Sequence, residues 1–326
     1  MATYTRRRFL ARSLAVAATA PVFSALVAAP VWSTLPPASA DSRGPHLQFP
    51  AEARERIAIA SYPFRDFIAG ASEHGGNSSA QKMDLKDFAA HVAAKFNIRK
   101  IEPWSRHFRS TEAKYLEEFR ATIEKARGAV VNIAVDGDHS PYAMDRAERE
   151  QSVAFSKQWI DAAAAIGSPG VRTNIAGAKD GKPDLERAAE SLRRVAEYGA
   201  TKNVVVNLEN DNAVTEDPFF LVQLIEKVNS PWLRLNPDFC NTLATGKEEY
   251  AYKGIEAMFR HAYGICHVKA MEVNEHTGQL FHVDMPKTFG ILKRANYRGY
   301  CSMEFDSPGD PYAGTSALIL QTLQYL

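Results

Sequence analysis

Cysteine is scarce in this chain of 326 residues: there are three, Cys240, Cys266 and Cys301. A small, odd number excludes a disulfide framework even in an oxidising compartment. Each lies on or beside an apolar run, so the plain expectation is a buried thiol under a helix layer. A glycine-rich phosphate loop is missing after the first apolar run, where Tyr62-Pro63-Phe64-Arg65 stands instead. That counts against an open, doubly wound dinucleotide-binding sheet. No internal repeat and no linker divides residues 41–326.

A surplus of one charge is also lacking. Lysine and arginine number 39 against 38 acids. Four of the arginines (6, 7, 8 and 12) and none of the acids fall in residues 1–40, which leaves 35 basic and 38 acidic residues beyond them, a net of −3. A slightly acidic body excludes a phosphate-backbone binder, so no nucleic-acid partner is expected. An unbroken apolar run of membrane-spanning length is absent too. The apolar stretch from about Leu14 to Val31 is interspersed with Ala, Ser and Thr and interrupted at Pro21 and Pro30. It follows Thr5-Arg6-Arg7-Arg8-Phe9-Leu10, a twin-arginine pattern, and leads to Ala38-Ser39-Ala40, small residues suited to cleavage. A basic head, a modest apolar core and an A-x-A end read as an export signal over residues 1–40. A membrane-anchoring helix is the plain alternative, disfavoured by the prolines. The expectation is export by the twin-arginine machinery to a periplasmic or secreted location, with no stable membrane span after signal removal.

What is present is an alternation. Short apolar runs are predicted as strands at Ile57–Tyr62, Ile98–Glu102, Val130–Val135, Gly170–Asn174, Val204–Glu209, Trp232–Asp238, Gly264–Lys269 and Tyr300–Phe305. Helical spacing predicts helices between them: after the Asp84 cap, at Thr111–Arg127, at Asp145–Ile166 closed by Gly167, after Asp184, after Asp217-Pro218, at Lys247–His261, at Pro286–Ala295 and at Thr315–Leu326. Near-continuous apolar strands followed by helices imply parallel pairing with both faces covered. Eight such units in about 270 residues predict an α/β fold, a closed (β/α)8 TIM barrel forming one domain over residues 41–326. Residues 65–82 and 270–285 are long loops of the kind that cover a site.

Four consecutive runs end in side chains able to hold a metal: Glu209, Asp238, His267 and Glu304, separated by 29, 29 and 37 residues. In a parallel barrel those ends sit side by side around half of the mouth. Singly, each is more often a loop partner or a wall residue; on four adjacent strands they form a set. Three carboxylates and an imidazole suit a divalent cation with oxygen preference, Mn2+ or Mg2+, with Zn2+ or Co2+ as further fits. Asn207, Asn236, Lys269 and Ser302 lie two residues from these ends and share their inward face. The other half of the mouth offers Tyr62, Glu102, Trp104, His107, Asp136, His139, Arg172 and Asn174. Aromatic faces beside Arg, Asn and carboxylates suit a polyhydroxylated ligand, so the expected partner is a small-molecule carbohydrate. A homo-oligomer is left open.

This constellation resembles the xylose isomerase-like barrel superfamily, in its sugar isomerase and epimerase branch. The resemblance covers residues 56–326 and carries the family's single metal, usually Mn2+ or Mg2+, onto Glu209, Asp238, His267 and Glu304. It implies that Glu209 and Glu304 also act as paired acid and base, that Lys269 of His267-Val268-Lys269 steadies an oxyanion, and that the activity is proton transfer beside a carbonyl through an enediolate. Tyr62, Glu102, Trp104, Arg172, Asn174, Asn207, Asn236 and Asn241 are the expected substrate contacts. Two positions depart from the family pattern. Asn241 stands where many members have His three residues after the metal Asp, and Ala270 stands where Asp often follows the His-x-Lys segment. Asn241 also removes one of the extra His ligands that the related apurinic-site endonucleases need for a trinuclear zinc cluster, and His282-Val283-Asp284 reverses their Asp-x-His order. The same enolate could instead expel a β-substituent, making the protein a keto-sugar dehydratase or lyase. A non-catalytic exported sugar-binding barrel is the third alternative.

Overall fold

The computed structural model describes residues 44–70, 82–179, 181–211, 217–274 and 276–326. The expected export signal over residues 1–40, and residues 71–81 of the expected loop at 65–82, lie outside them. Among the described residues no helix is long and apolar enough to cross a membrane.

Every second strand residue must be buried twice over, under helices outside and against neighbours inside, and the sequence meets this with Ile, Val and Leu on the outer face. Strands β1 (Ile57–Ala60), β2 (Lys100–Glu102) and β3 (Ala129–Val130) pair in parallel with β11 (Tyr300–Met303) and β8 (Ile265–Val268), in the order β3-β2-β1-β11-β8. Strands β4 (Ile133–Val135), β5 (Gly170–Thr173), β6 (Val205–Glu209) and β7 (Leu233–Asn236) form a second parallel sheet in chain order. Single parallel bridges join the two sheets at both seams: Trp104 to Ala134 on one side, Leu235 to Ala262 and Asp238 to His267 on the other. β3 and β4 are two pieces of one strand position, so eight positions surround the interior.

The expected strand Val130–Val135 is therefore broken, at Val131-Asn132. Val131 packs with Ala58 and Ile265 in an apolar floor inside the barrel. The next side chain, Asn132, hydrogen-bonds to Glu102 and Asn207, which line the same interior. Two successive inward side chains break the period of two, as a bulge does.

Helices α1 (Phe88–Phe96), α2 (Ala113–Lys125), α3 (Arg146–Ile166), α4 (Leu185–Lys202), α5 (Pro218–Val228), α6 (Glu248–Phe259), α7 (Met285–Arg294) and α8 (Pro311–Leu323) cover the outer face. Five open on an Asp whose carboxylate accepts from first-turn amides: Asp145, Asp184, Asp217, Asp284 and Asp310. Each such cap is worth about 1 kcal/mol. Three close on a left-handed Asn (97, 203 and 229), and α3 closes on Gly167 at φ 78°. Gly254 in α6 lies against Pro218 at the start of α5, where a Cβ would overlap the proline ring.

Two further expectations need correction. The last helix begins at Pro311 rather than Thr315, because Asp310-Pro311 repeats the cap-and-proline start of Asp217-Pro218. The stretch 270–285 carries an antiparallel hairpin, β9 (Met271–Val273) with β10 (Leu280–His282), beside the mouth. The three thiols are fully buried, and Cys266 and Cys301 are register partners with their sulfurs 3.7 Å apart.

Candidate metal centre

The seam between β7 and β8 passes through the four strand ends. Asp238 and His267 are bridge partners, with the His267 amide donating to Pro237 O at 3.0 Å and the Phe239 amide donating to His267 O at 3.2 Å. Backbone pairing thus fixes the spacing of these two residues. Asp238 is clamped further. Its amide donates to Asn210 Oδ1, and its Oδ1 accepts from the amides of Cys240 and Asn241, each at 2.8 Å. Its other oxygen, Oδ2, is buried and makes no hydrogen bond.

Glu209, Asp238, His267 and Glu304 each place one ligand atom within 4.8 Å of the others, and all four are fully buried. His267 Nδ1 lies 2.7 Å from Glu209 Oε1, 3.1 Å from Glu304 Oε2 and 4.0 Å from Asp238 Oδ2. Burial opposes charge on this imidazole. The carboxylates of Glu102, Glu209 and Glu304 outweigh it and hold His267 well above its ordinary pKa. For Glu209, burial pushes the carboxyl up, but Arg172 and His267 prevail and lower it. Asp238 is raised, by burial first and by the neighbouring Glu209 and Glu304, against the pull of Lys269. Converging carboxylates about one imidazole nitrogen, with a buried carboxylate oxygen that nothing hydrogen-bonds, fit a divalent cation.

Two cations edge this group. Arg172 is fully buried, with Nε 2.8 Å from Glu209 Oε2 and Nη1 2.8 Å from Asp136 Oδ1. Lys269 donates to Asn241 Oδ1 at 2.8 Å and lies 3.4 to 3.6 Å from Glu272, Asp238 and Glu304. Burial opposes its charge, and Asp238, Glu272 and Glu304 override it to raise the Lys269 pKa well above the usual value. The neighbouring carboxylates thus favour the ammonium form of Lys269. Asn241, at the departure from the family pattern, bridges this ammonium and Glu209, its Nδ2 being 3.5 Å from Glu209 Oε1.

The remaining expected residues divide. Glu102 reaches the centre, since both its oxygens contact His267 Nε2, at 3.0 and 2.9 Å. Asn207 and Asn236 are buried in the layer beneath, where Asn207 donates to Asn132 at 3.3 Å. Tyr62 and Trp104 meet edge to face, 5.1 Å between centroids, and Trp104 Nε1 donates to Asp136 Oδ2 at 2.7 Å. Asn174 donates to Asp211 at 3.3 Å. These three form the wall of the other half. His107 contacts Ser61 Oγ at 2.9 Å, and His139 lies beside Glu148 at 3.4 Å, so neither joins the four-residue group. Sequence reasoning missed Asn132, Asn210, Asp211 and Glu272. Asn132 carried a signal, as the one polar residue within Val130–Val135; the others follow a strand end or sit in the hairpin, where polar residues are ordinary.

Eight parallel strand positions under helices, with three carboxylates and an imidazole at the strand ends, define an α/β barrel with a candidate metal centre. A family model described as xylose isomerase-like TIM barrel matches residues 90–323, and the chain belongs to that family. No protein of curated function matches the chain at a significant level. Among solved structures the chain is similar to a D-allulose 3-epimerase from Methylomonas sp. (16% identity, 86% of this chain and 100% of that one, TM-score 0.63). It is similar also to a 3-keto-D-glucoside 4-epimerase from E. coli (14% identity, 82% and 99%, TM-score 0.61). A xylose isomerase-like barrel protein from Mycobacterium smegmatis in complex with magnesium is another (18% identity, 83% and 97%, TM-score 0.59).

Proposed function

We propose that the protein is a metal-dependent sugar isomerase or epimerase that moves a proton at a carbon beside a carbonyl. The observation that carries this reading is the convergence of Glu209 and Glu304 on Nδ1 of His267, with one ligand atom of each of the four residues within 4.8 Å of the others. Glu209, Asp238, His267 and Glu304 would hold one divalent cation, Mn2+ or Mg2+ by the chemistry of the donors. When bound, such an ion supplies Lewis-acid polarisation of a carbonyl and an adjacent hydroxyl.

The chain's own residues do the rest. Arg172 keeps Glu209 ionised, the form that accepts a proton. Glu304, entering the cycle protonated, gives its proton to the opposite face, which inverts the carbon, and the two carboxyls then regain their starting states by proton exchange with solvent. Lys269 stands beside Glu304 as a fixed positive charge for the enediolate oxygen. Trp104, backed by the buried Tyr62, offers an apolar surface to a sugar ring, while Asp136 and Asn174 offer hydrogen bonds to its hydroxyls. Two of the similar solved structures are by name a D-allulose 3-epimerase and a 3-keto-D-glucoside 4-epimerase, which agrees with this substrate class. The proposal extends to location: the arginine-rich head of residues 1–40 directs the folded protein out of the cytoplasm.

NMR in D2O with a panel of ketoses and 3-keto-glycosides tests the reaction. Deuterium entering beside the carbonyl without loss of carbon skeleton is the expected result. Glu209→Gln and Glu304→Gln should each slow that exchange by about 10²–10⁴-fold, the usual contribution of a positioned acid or base. Elimination to an unsaturated product would replace the epimerase reading with that of a lyase. Unchanged turnover in both variants would remove the acid and base assignment.

A further inference from the structure

We propose that Glu102 is a positioning residue for the metal centre, accepting Nε2–H of His267 across the barrel interior so that Nδ1 faces the three carboxylates. The inference rests on the metal-centre reading and reassigns a residue that the sequence placed among the substrate contacts.

The geometry is that of a tether. Glu102 is on β2 and His267 on β8, and β1 and β11 lie between them in the sheet. A direct contact must therefore span the interior. The intervening strands leave that space open, because β1 offers only Ala58 and Ala60 to the inside and β11 offers Ser302. Across the gap the carboxylate of Glu102 meets His267 Nε2 with both oxygens, at 3.0 and 2.9 Å. Both residues are fully buried. The tether is itself anchored: Asn132 Nδ2 donates to Glu102 Oε1 at 2.8 Å, and Asn207 Nδ2 donates to Asn132 Oδ1 at 3.3 Å. The break in the strand at Val131-Asn132 is what turns the Asn132 side chain inward, so a local irregularity of the fold serves the centre.

The chemistry follows from the two ring nitrogens. A neutral imidazole carries its proton on one nitrogen and a lone pair on the other, and a partner at one decides the role of the other. A carboxylate can only accept, so Glu102 holds a proton on Nε2. Nδ1 faces Glu209 and Glu304 on the other side, and its proton is the one a cation would displace, leaving the Nδ1 lone pair directed at the side where Glu209, Asp238 and Glu304 converge. A carboxylate behind a ligating imidazole also raises its donor strength, and losing such a partner typically costs 10–100-fold in metal affinity. Glu102 is buried behind the ring, which leaves it poorly placed to touch a substrate.

The test is calorimetric titration of Mn2+ into metal-stripped wild type, Glu102→Ala, Glu102→Gln and Asn132→Ala, with thermal melts of each stripped protein. Glu102→Ala should raise Kd by about 10–100-fold. Glu102→Gln should raise it less, because its amide carbonyl still accepts Nε2–H, and Asn132→Ala should raise it by a few-fold. In protein loaded with diamagnetic Zn2+, histidine 15N spectra should show the His267 proton on Nε2 in wild type and Glu102→Gln. A Kd in Glu102→Ala within twofold of wild type, or a proton on Nδ1, overturns the proposal. Should Glu102→Ala fail to fold, unchanged Kd in both other variants overturns it equally. An increase in KM with unchanged metal affinity would return Glu102 to the substrate contacts. Wild type that binds no Mn2+ would instead remove the metal-centre reading beneath it.

Discussion

The two halves of the barrel mouth are built on different principles. On the side of β6 to β8 and β11, charged side chains are fully buried and hold one another through short contacts, with Asp238 clamped by backbone amides and by Asn210. On the side of β1, β2, β4 and β5, half-buried Trp104, Asp136 and Asn174 stand with the edge-to-face pair Tyr62 and Trp104. Burying a charge is costly unless it is paired, so the first half must be rigid and complete to exist at all. The second half sends two buried charges, Glu102 and Arg172, across to His267 and Glu209; its outer wall is otherwise an aromatic pair and hydrogen bonds whose members can change one at a time. On the proposed reading the difference separates two properties: ion binding would rest on the first half with Glu102 and Arg172 reaching to it, and choice of ligand on the outer wall of the second.

Two substitutions can break this comparison. Lys269→Met removes the ammonium beside Asp238 and Glu304, and it should lower kcat by about 10²–10³-fold, the cost of losing a group aimed at a developing oxyanion. It should not weaken Mn2+ binding, because the lost charge is one that repels a cation. Steady-state kinetics beside calorimetry separate the two quantities, and a joint loss would make Lys269 part of the ion-holding frame. Trp104→Phe keeps the ring and deletes the hydrogen bond to Asp136. One such bond is worth about 1 kcal/mol, so KM should rise about fivefold while metal affinity holds. A fall in metal affinity in that variant would join the two halves into one unit.

Much of this was legible in the chain. The outer faces of the strands read as apolar runs because each must meet a helix, and the Asp caps with Gly167 mark where several helices start or stop. Glu209, Asp238, His267 and Glu304 were legible as a set, because four consecutive runs each carry a metal-capable side chain at the end, although singly each is ordinary there. Other features depended on closure in three dimensions. The contact of Glu102 with His267 is a chord across the interior, set by how four strands curve rather than by any spacing. The break at Val131-Asn132 reverses a period that a short run cannot reveal. The hairpin at Met271–Val273 and Leu280–His282 has three residues a side, too few for alternation to declare itself. The neighbours of Lys269, the site's carboxylates and Asn241, likewise depend on closure and could not be read from its spacing after His267.

The central claim is that four strand ends form one ion-binding unit. Calorimetric titration of Mn2+ into the metal-stripped chain, with Asp238→Ala alongside, measures it most directly. The account predicts a single site per chain in wild type, and in Asp238→Ala a loss beyond the roughly 10–100-fold that an outer partner costs. A wild-type chain that takes up no ion, or an Asp238→Ala chain that binds it as tightly as wild type, would contradict it.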